Sequence, residues 1–426
     1  MIRLTAPLSL IIAAVSVHAL AACVGDPKDN QTPAVQDDSP ALIEFFDEVF
    51  EREVDRSPIR QSMLGRKTDR LHEWDDISDG FASETIEQTK ADLDVLRSKF
   101  DYDSLSPEDR LSFDLFVFNA NRRINNHEFR RQHYVVDQFN GQLSGLLTVL
   151  QNNHDIADMR DAENYVTRIA GLGAVLEEMA AQLKDRQQFG VIAPAFSFED
   201  VIADATSMAS GQPIDDGPQT NVLFADFSGK IGKLETDAAK REDLLNGATA
   251  ALSGPYKRGF TALIAEIERL RTLADGDKGV WSLPDGAAYY ENRIAHHTTL
   301  TLSPEQIHEI GLSEVARIHD EMRLIMQQVG FEGSLTEFFD FIRDDPNNYY
   351  ADSDAGRERF LDDARKLIDE IYGAVGDWFH SVPEAELEVR RVEPWRENST
   401  SIAFYNRPSE DGSRPGIYYA NLADMN

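Results

Sequence analysis

The chain has 426 residues, 42% of them hydrophobic, enough for a large core spread over two or three domain-sized units. A formal net charge of −33 repels phosphate backbones and argues against nucleic acid as a partner. The single cysteine, Cys23, rules out an intramolecular disulfide.

Residues 1–22 read as an export signal. Arg3 supplies the positive start, residues 4–20 are apolar, and Leu20-Ala-Ala-Cys23 follows with small residues before the cysteine. The stretch is too short and wrongly flanked for a stable membrane span. The ending resembles the lipobox of bacterial lipoproteins, which makes Cys23 the lipidation site and membrane anchor. The alternative is an ordinary secretory signal cleaved nearby. Val24, in place of Asp, favours an outer-membrane location facing the periplasm by resemblance to known sorting behaviour. Residues 23–40 are polar, contain three prolines, and read as a flexible tether. Residues 41–426 form the body.

Helical periodicity dominates that body. Leu42, Phe45, Phe46, Val49 and Phe50 share one face. Ser106 and Pro107 start a second helix. Tyr165, Ile169, Leu172, Leu176, Met179 and Leu183 stripe a long one, and the spaced glycines of "GLGAVLEEM" lie inside it. No strand precedes them, so they predict packing rather than dinucleotide binding. In "LSPEQIHEIGLSEVARIHDEMRLIMQQVG", Ser303 caps, Pro304 sits at the first position, Gln306 completes a capping box and Gly330 stops the helix. After Pro383 the texture changes. "LEVRRV", "SIAFYN" and "GIYYAN" are short and β-rich, and Asp411-Gly412 marks a turn between the last two.

Helical zinc peptidases place two histidines four residues apart on one helix, with a glutamate after the first acting as base. Three His-Glu pairs occur here, but Asp76, Arg131 and Leu312 stand where the second histidine is required. His308 and His319 are too far apart on their helix for that pattern. His296 and His297, read as a loop before the capped helix, either line a site or are ordinary polar residues. In the terminal strand, an exposed edge over Gly416–Asn421 could bind an extended peptide. Arg414 would hold a carboxylate, and Tyr418 and Tyr419 would face opposite sides. The competing reading is a strand simply packed on helices.

Two stretches resemble the bacterial domain-of-unknown-function 885 family. One runs from "LPDGAAYYENRIAHHTTLTLSPEQIHEIGLSEVARIHDEM" through "GFEGSLTEFFDFIRDDPNNYY", and the other is "VPEAELEVRRVEPWRENSTSIAFYNRPSEDGSRPGIYYANLAD". The resemblance implies a mainly α fold, with a large helical zincin-like body and a small antiparallel β ribbon near the C-terminal end. It also implies zinc in full-length members, peptide substrates, and a strand beside the peptide. That makes Arg414, Gly416, Ile417, Tyr418, Tyr419 and Asn421, with His296 and His297, the substrate-contact candidates. In the family, a helix carrying His-Glu and Pro-Gly-His follows this strand. The chain ends at Asn426 before any such motif, so it is expected to lack catalytic residues and metal ligands of its own. The expected function is the N-terminal and middle part of an exported zinc-dependent peptidase-like protein. The alternative is a non-catalytic surface lipoprotein that binds peptides or protein partners.

Overall fold

In the computed structural model, residues 39–138, 142–276 and 278–425 are described; the export signal, Cys23 and the tether up to Asp38 lie outside them. The described chain is mainly helical with one three-stranded sheet near its C-terminal end.

The longest helix, α6 (Met159–Phe189), is the axis of the molecule. It follows α1 (Ser39–Asp55), α2 (Pro58–Met63), α3 (Asp79–Lys99), α4 (Pro107–Glu128) and α5 (Gln142–Asn153). It precedes α7 (Ser197–Met208), α8 (Val222–Ile231), α9 (Ala238–Ala251) and α10 (Lys257–Arg271). Asp158 caps its start by accepting a hydrogen bond from Asp161 N, and Gly190 ends it in the left-handed conformation at φ +99°. The stripe read from the sequence is buried: Tyr165, Ile169, Leu172 and Leu176 are fully enclosed in the main core, which gathers side chains from α5 to α10.

Helices α6 and α10 cross where both lack side chains. A Cβ on Gly259 would lie 2.6 Å from Gly173 O and 2.8 Å from Gly173 Cα, and one on Gly173 would collide with the Pro255 carbonyl. Removing side chains at a crossing lets two backbones approach closely, so these glycines do structural work. Pro255 sits in a π-helical segment, Leu252–Tyr256, that joins α9 to α10.

A buried polar anchor ties α2 and the 73–74 segment to α6. Arg168 is fully enclosed. It donates from Nε and Nη2 to Glu73 O at 3.1 and 3.0 Å, and from Nη1 to Ser62 Oγ at 3.0 Å. Trp74 Nε1 returns a hydrogen bond to Arg168 O at 2.7 Å. His154, equally buried, pairs its Nε2 with Asp161 O at 3.0 Å and faces Arg168 Nη1 with Nδ1 at 3.4 Å. Nδ1 facing a cationic donor must accept, so Nε2 carries the proton. Burial first, then the Arg168 charge, pushes the His154 pKa down to about 3. Next to it, Lys230 caps the end of α5. Its Nζ donates to Leu150 O at 2.9 Å, Gln151 O at 2.7 Å and His154 O at 3.2 Å, and pairs with Asp226 at 2.9 Å.

A separate aromatic cluster joins α1, α3 and α4 through Phe45, Phe46, Phe100 and Phe116, with ring centroids 5.3–5.8 Å apart. Beyond α10 come α11 (Gly286–Thr298), α12 (Pro304–Gln328), α13 (Leu335–Arg343) and α14 (Asp354–Val375). Ser303 and Gln306 form the capping box read from the sequence, and Gly330 adopts φ +72° after the last turn. The apolar stripe of α12 is not core, however. Only Met326 is buried along its 25 residues.

The sheet has the order β1–β3–β2, from β1 (Leu387–Arg391), β2 (Ala403–Asn406) and β3 (Gly416–Ala420). The antiparallel ribbon is present as β2 and β3, with Phe404 opposite Tyr419. β1 adds to the other side in parallel, with Val389 opposite Tyr418, so the sheet is mixed rather than purely antiparallel.

Two predictions follow from these contacts. Gly173→Ala should cost about 1–3 kcal/mol by overpacking, whereas Gly229→Ala, with no atom within 4 Å of the added methyl, should not. Equal urea midpoints for the two variants would refute the crossing as a constraint. For His154, the unfolded imidazole takes a proton near pH 6.5 that the folded one refuses until about pH 3. Its contribution is therefore complete above pH 6.5. It is lost on acidification at a limiting slope of about 1.4 kcal/mol per pH unit. His154→Gln should show a shallower loss of stability between pH 6.5 and 4; an unchanged slope would contradict this.

Candidate functional site

β3 carries most of the residues singled out by the sequence, and it is not an edge. With β1 on one side and β2 on the other, both rows of its backbone groups are used in ladders. The expectation that Gly416–Asn421 offers a free edge is corrected on that ground. Ile417, Tyr419 and Ala420 are buried, and Tyr418 is half-buried against the α14 side of the sheet. Tyr418 and Tyr419 do face opposite sides, but neither side is open to a ligand. The Tyr419 ring stacks on Phe404 at 4.9 Å with the Arg396 guanidinium 5.4 Å away, and its hydroxyl accepts from Asn152 Nδ2 at 3.1 Å. Burial raises the Tyr419 pKa.

The flanking candidates are also structural. Arg414 is half-buried and donates to Met63 O rather than presenting itself to a carboxylate; burial lowers its pKa. Asn421 donates to Glu397 O at 2.6 Å and Thr400 O at 3.3 Å and accepts from Ala423 N at 3.1 Å, which closes the sheet's end. Gly416 leaves room for Tyr405, whose hydroxyl would lie 2.6 Å from a Cβ there. Nearby, Arg391 forms a two-pronged pair with Glu397 at 2.6 and 2.9 Å and holds that carboxyl below the usual range.

The loop between β2 and β3 is docked on the N-terminal helices. Glu410 N donates to Leu64 O at 2.9 Å, and the Glu410 carboxylate pairs with Arg66 at 2.7 Å. Asp411 accepts from Ser409 and Ser413, which lowers its pKa to about 2. A side chain on Gly65, at φ +82°, would press on Ser409 Cβ at 2.9 Å.

His296 and His297 occupy the last turn of α11, not a loop. Their rings meet edge to face at 4.8 Å, and His296 Nδ1 lies 2.9 Å from Asn126 Nδ2 on α4. Burial, then Arg293 and Arg122, lower the His296 pKa. His296 thus contacts α4, whereas β3 contacts its neighbouring strands, Asn152 and the α14 side; the two candidate sets form separate clusters.

Among the described residues no group of three or more His, Cys, Asp or Glu could hold a metal ion. The donor set for zinc is therefore not met by the described residues.

The surface that is open belongs to β2. Asn421 N donates to Ile402 O at 2.8 Å, so Ile402, and by the two-residue period Phe404 and Asn406, point their backbone groups at β3. Ala403 and Tyr405 therefore turn their N–H and C=O outward, on the side where no strand follows in the sheet order. Ile402 is 87% exposed and Tyr405 55%. The sequence points to β3 as an expected free edge and through the family resemblance, yet its residues are mostly apolar. That same apolarity is the signature of a central strand. A second concavity, of about 420 Å³ between α1, α3 and α4, is lined by Phe46, Phe50, Leu115 and Phe116. The charged groups beside it are already paired: Glu53 with Arg60 and Arg123, and Asp92 with Arg52.

No curated protein matches the sequence. A solved structure of a "putative lipoprotein" from Colwellia psychrerythraea superposes with a TM-score of 0.79 at 21% identity, covering 91% of this chain and 68% of that one. At that identity the likeness shows the fold. Residues 58–426 match the family described as "Bacterial protein of unknown function (DUF885)", and the chain belongs to that family.

Proposed function

We propose that this chain is the helical scaffold of an exported, peptidase-like lipoprotein, and that it holds an extended peptide along the outer side of β2. The observation that carries this reading is the open edge: two residues, Ala403 and Tyr405, with outward backbone groups beside the exposed Ile402 side chain. Strand addition takes its affinity from main-chain hydrogen bonds and its selectivity from alternate side chains. Apolar, extended segments fit such an edge. Export through the signal at residues 1–22 and anchoring at Cys23, on the outer membrane and facing the periplasm, complete the proposal. The name of the Colwellia structure supports the lipoprotein part. Among the described residues no helix is long and apolar enough to cross a membrane.

Peptidase chemistry in this reading follows from the family resemblance. The described residues supply the peptide-facing surface but not the metal ligands. The second reading, a non-catalytic lipoprotein that binds peptides or proteins, uses the same edge and differs only in what happens to the bound segment.

A fluorescent peptide of alternating apolar and polar residues should bind the purified chain. Methylating its alternate amides should weaken binding tenfold or more. Ala403→Pro, which removes an outward N–H while keeping the bonds to β3, should do the same. Affinity that is indifferent to both changes sinks the edge assignment. Chelator-sensitive cleavage of the bound peptide would select the peptidase reading over the binding one.

A further inference from the structure

We propose that Asn126 is the centre of an acid-released latch between α4 and α11, closed while His296 is neutral and opened when His296 takes a proton. The Asn126 amide stands between two side chains of α11. Its Oδ1 accepts from Arg293 Nη2, and its Nδ2 lies 2.9 Å from His296 Nδ1. A guanidinium can only donate. With Oδ1 committed to it, the amide offers only N–H to the imidazole, so Nδ1 is the accepting nitrogen and Nε2 carries the hydrogen. Protonation of His296 sets N–H against N–H. Turning the amide over does not help, because Nδ2 would then meet the guanidinium. One carbonyl oxygen placed this way cannot serve both cations, so one of the two bonds between the helices is lost.

The rest of the contact works in the same direction. α11 is also held to the chain that follows α4. The Tyr289 ring lies 6.0 Å from that of Phe129, its hydroxyl is 3.3 Å from His133 Nδ1, and Gln132 Nε2 donates to Pro284 O at 3.2 Å just ahead of the helix. The charges bearing on His296 are Arg293 and His297 of its own helix and Arg122 of α4. Those bearing on His133 are Arg293 and His296 of α11 and Arg186 of α6. None is a carboxylate that could absorb a new positive charge. Arg293 itself meets the Asn126 and Asn292 amides and the Tyr289 ring. In a chain with 75 acidic residues against 42 basic ones, a cationic contact closed by amides and an aromatic ring stands apart. Burial, then these charges, hold both imidazoles below the usual value of 6.5. A released imidazole therefore binds its proton first. The contact is complete above pH 6.5 and is lost as the pH falls through the lowered values of the closed latch.

The test is hydrogen exchange read by mass spectrometry on the full chain, corrected for the intrinsic pH dependence of exchange. Between pH 7.5 and pH 5.0 the amides of α11 should lose protection roughly tenfold, the scale of one hydrogen bond turned into a donor–donor contact. The amides of α6 should stay protected at both values. His296→Gln keeps an acceptor toward Asn126 without a titrating group, so its α11 should be equally protected at the two pH values. Asn126→Asp offers two oxygens, one to Arg293 and one to a protonated His296. Its α11 should be held at pH 5.0 at least as well as at pH 7.5, the reverse of the wild type. Wild-type α11 whose protection does not fall on acidification overturns the latch. So does an Asn126→Asp or a His296→Gln variant that opens as the wild type does. Loss of protection in α6 in step with α11 also overturns it, since the opening would then be unfolding of the whole body.

Discussion

The contact between Gly173 and Gly259 sets the distance on which the main core depends. Because neither residue has a side chain, α6 and α10 approach until a Cβ on one would touch the backbone of the other. At that separation Leu172 and Leu176 of α6 and Phe260 and Leu263 of α10 are all fully enclosed in one cluster. Interiors packed at crystal-like density transmit a local displacement. A wider crossing would loosen α7 and α9, which pack on the same two helices.

The polar anchor at Arg168 acts differently. Its guanidinium is enclosed without a carboxylate in direct contact and spends its donors on two carbonyls and a hydroxyl. Backbone carbonyls cannot be removed by substitution, so the arrangement fixes the path of residues 58–74 over α6 rather than adding a large net stability. His154 completes it as a neutral ring, and Lys230 covers the carbonyls at the end of α5. The groups with the most displaced ionisation in the helical body therefore organise structure. Displaced pKa values alone are a poor guide to where chemistry occurs here.

Much of the fold was legible because its signals are local. Ser106, Ser303 with Gln306, and Gly330 mark helix ends through capping, which depends only on near neighbours. The glycines of α6, read from the sequence as packing residues, lie against Trp74 and Pro255. The candidate site was less legible because edge and centre are properties of strand order. "GIYYA" looks the same whether it has one neighbour or two, and only the parallel addition of β1, contributed by residues 387–391, makes it central. The histidine pair was misplaced for a related reason. α11 runs through the "AHHT" segment to Thr298, and Thr299 ends it at φ +59°, a left-handed stop that nothing in a non-glycine sequence announces. The α12 stripe has the right period for a buried face, but period alone does not say what covers it.

The docking of the 407–415 loop on the N-terminal helices has a mechanical side. Arg66 joins Glu51 of α1 and Glu410 of the loop at once, and Leu64 and Met63 accept from Glu410 and Arg414. Segments some 344 positions apart in the chain are thereby clamped together. Contacts of such separation carry the entropy cost of closing a long loop. Once formed, they place the start of the body and the base of the β2–β3 ribbon in series. A load applied at residue 39 passes down α1 and reaches the ribbon through Arg66, and it reaches α6 as well, because Arg168 of that helix holds Ser62 and Glu73. The start of α1 and the base of the open ribbon therefore bear on the helical block together rather than apart from it.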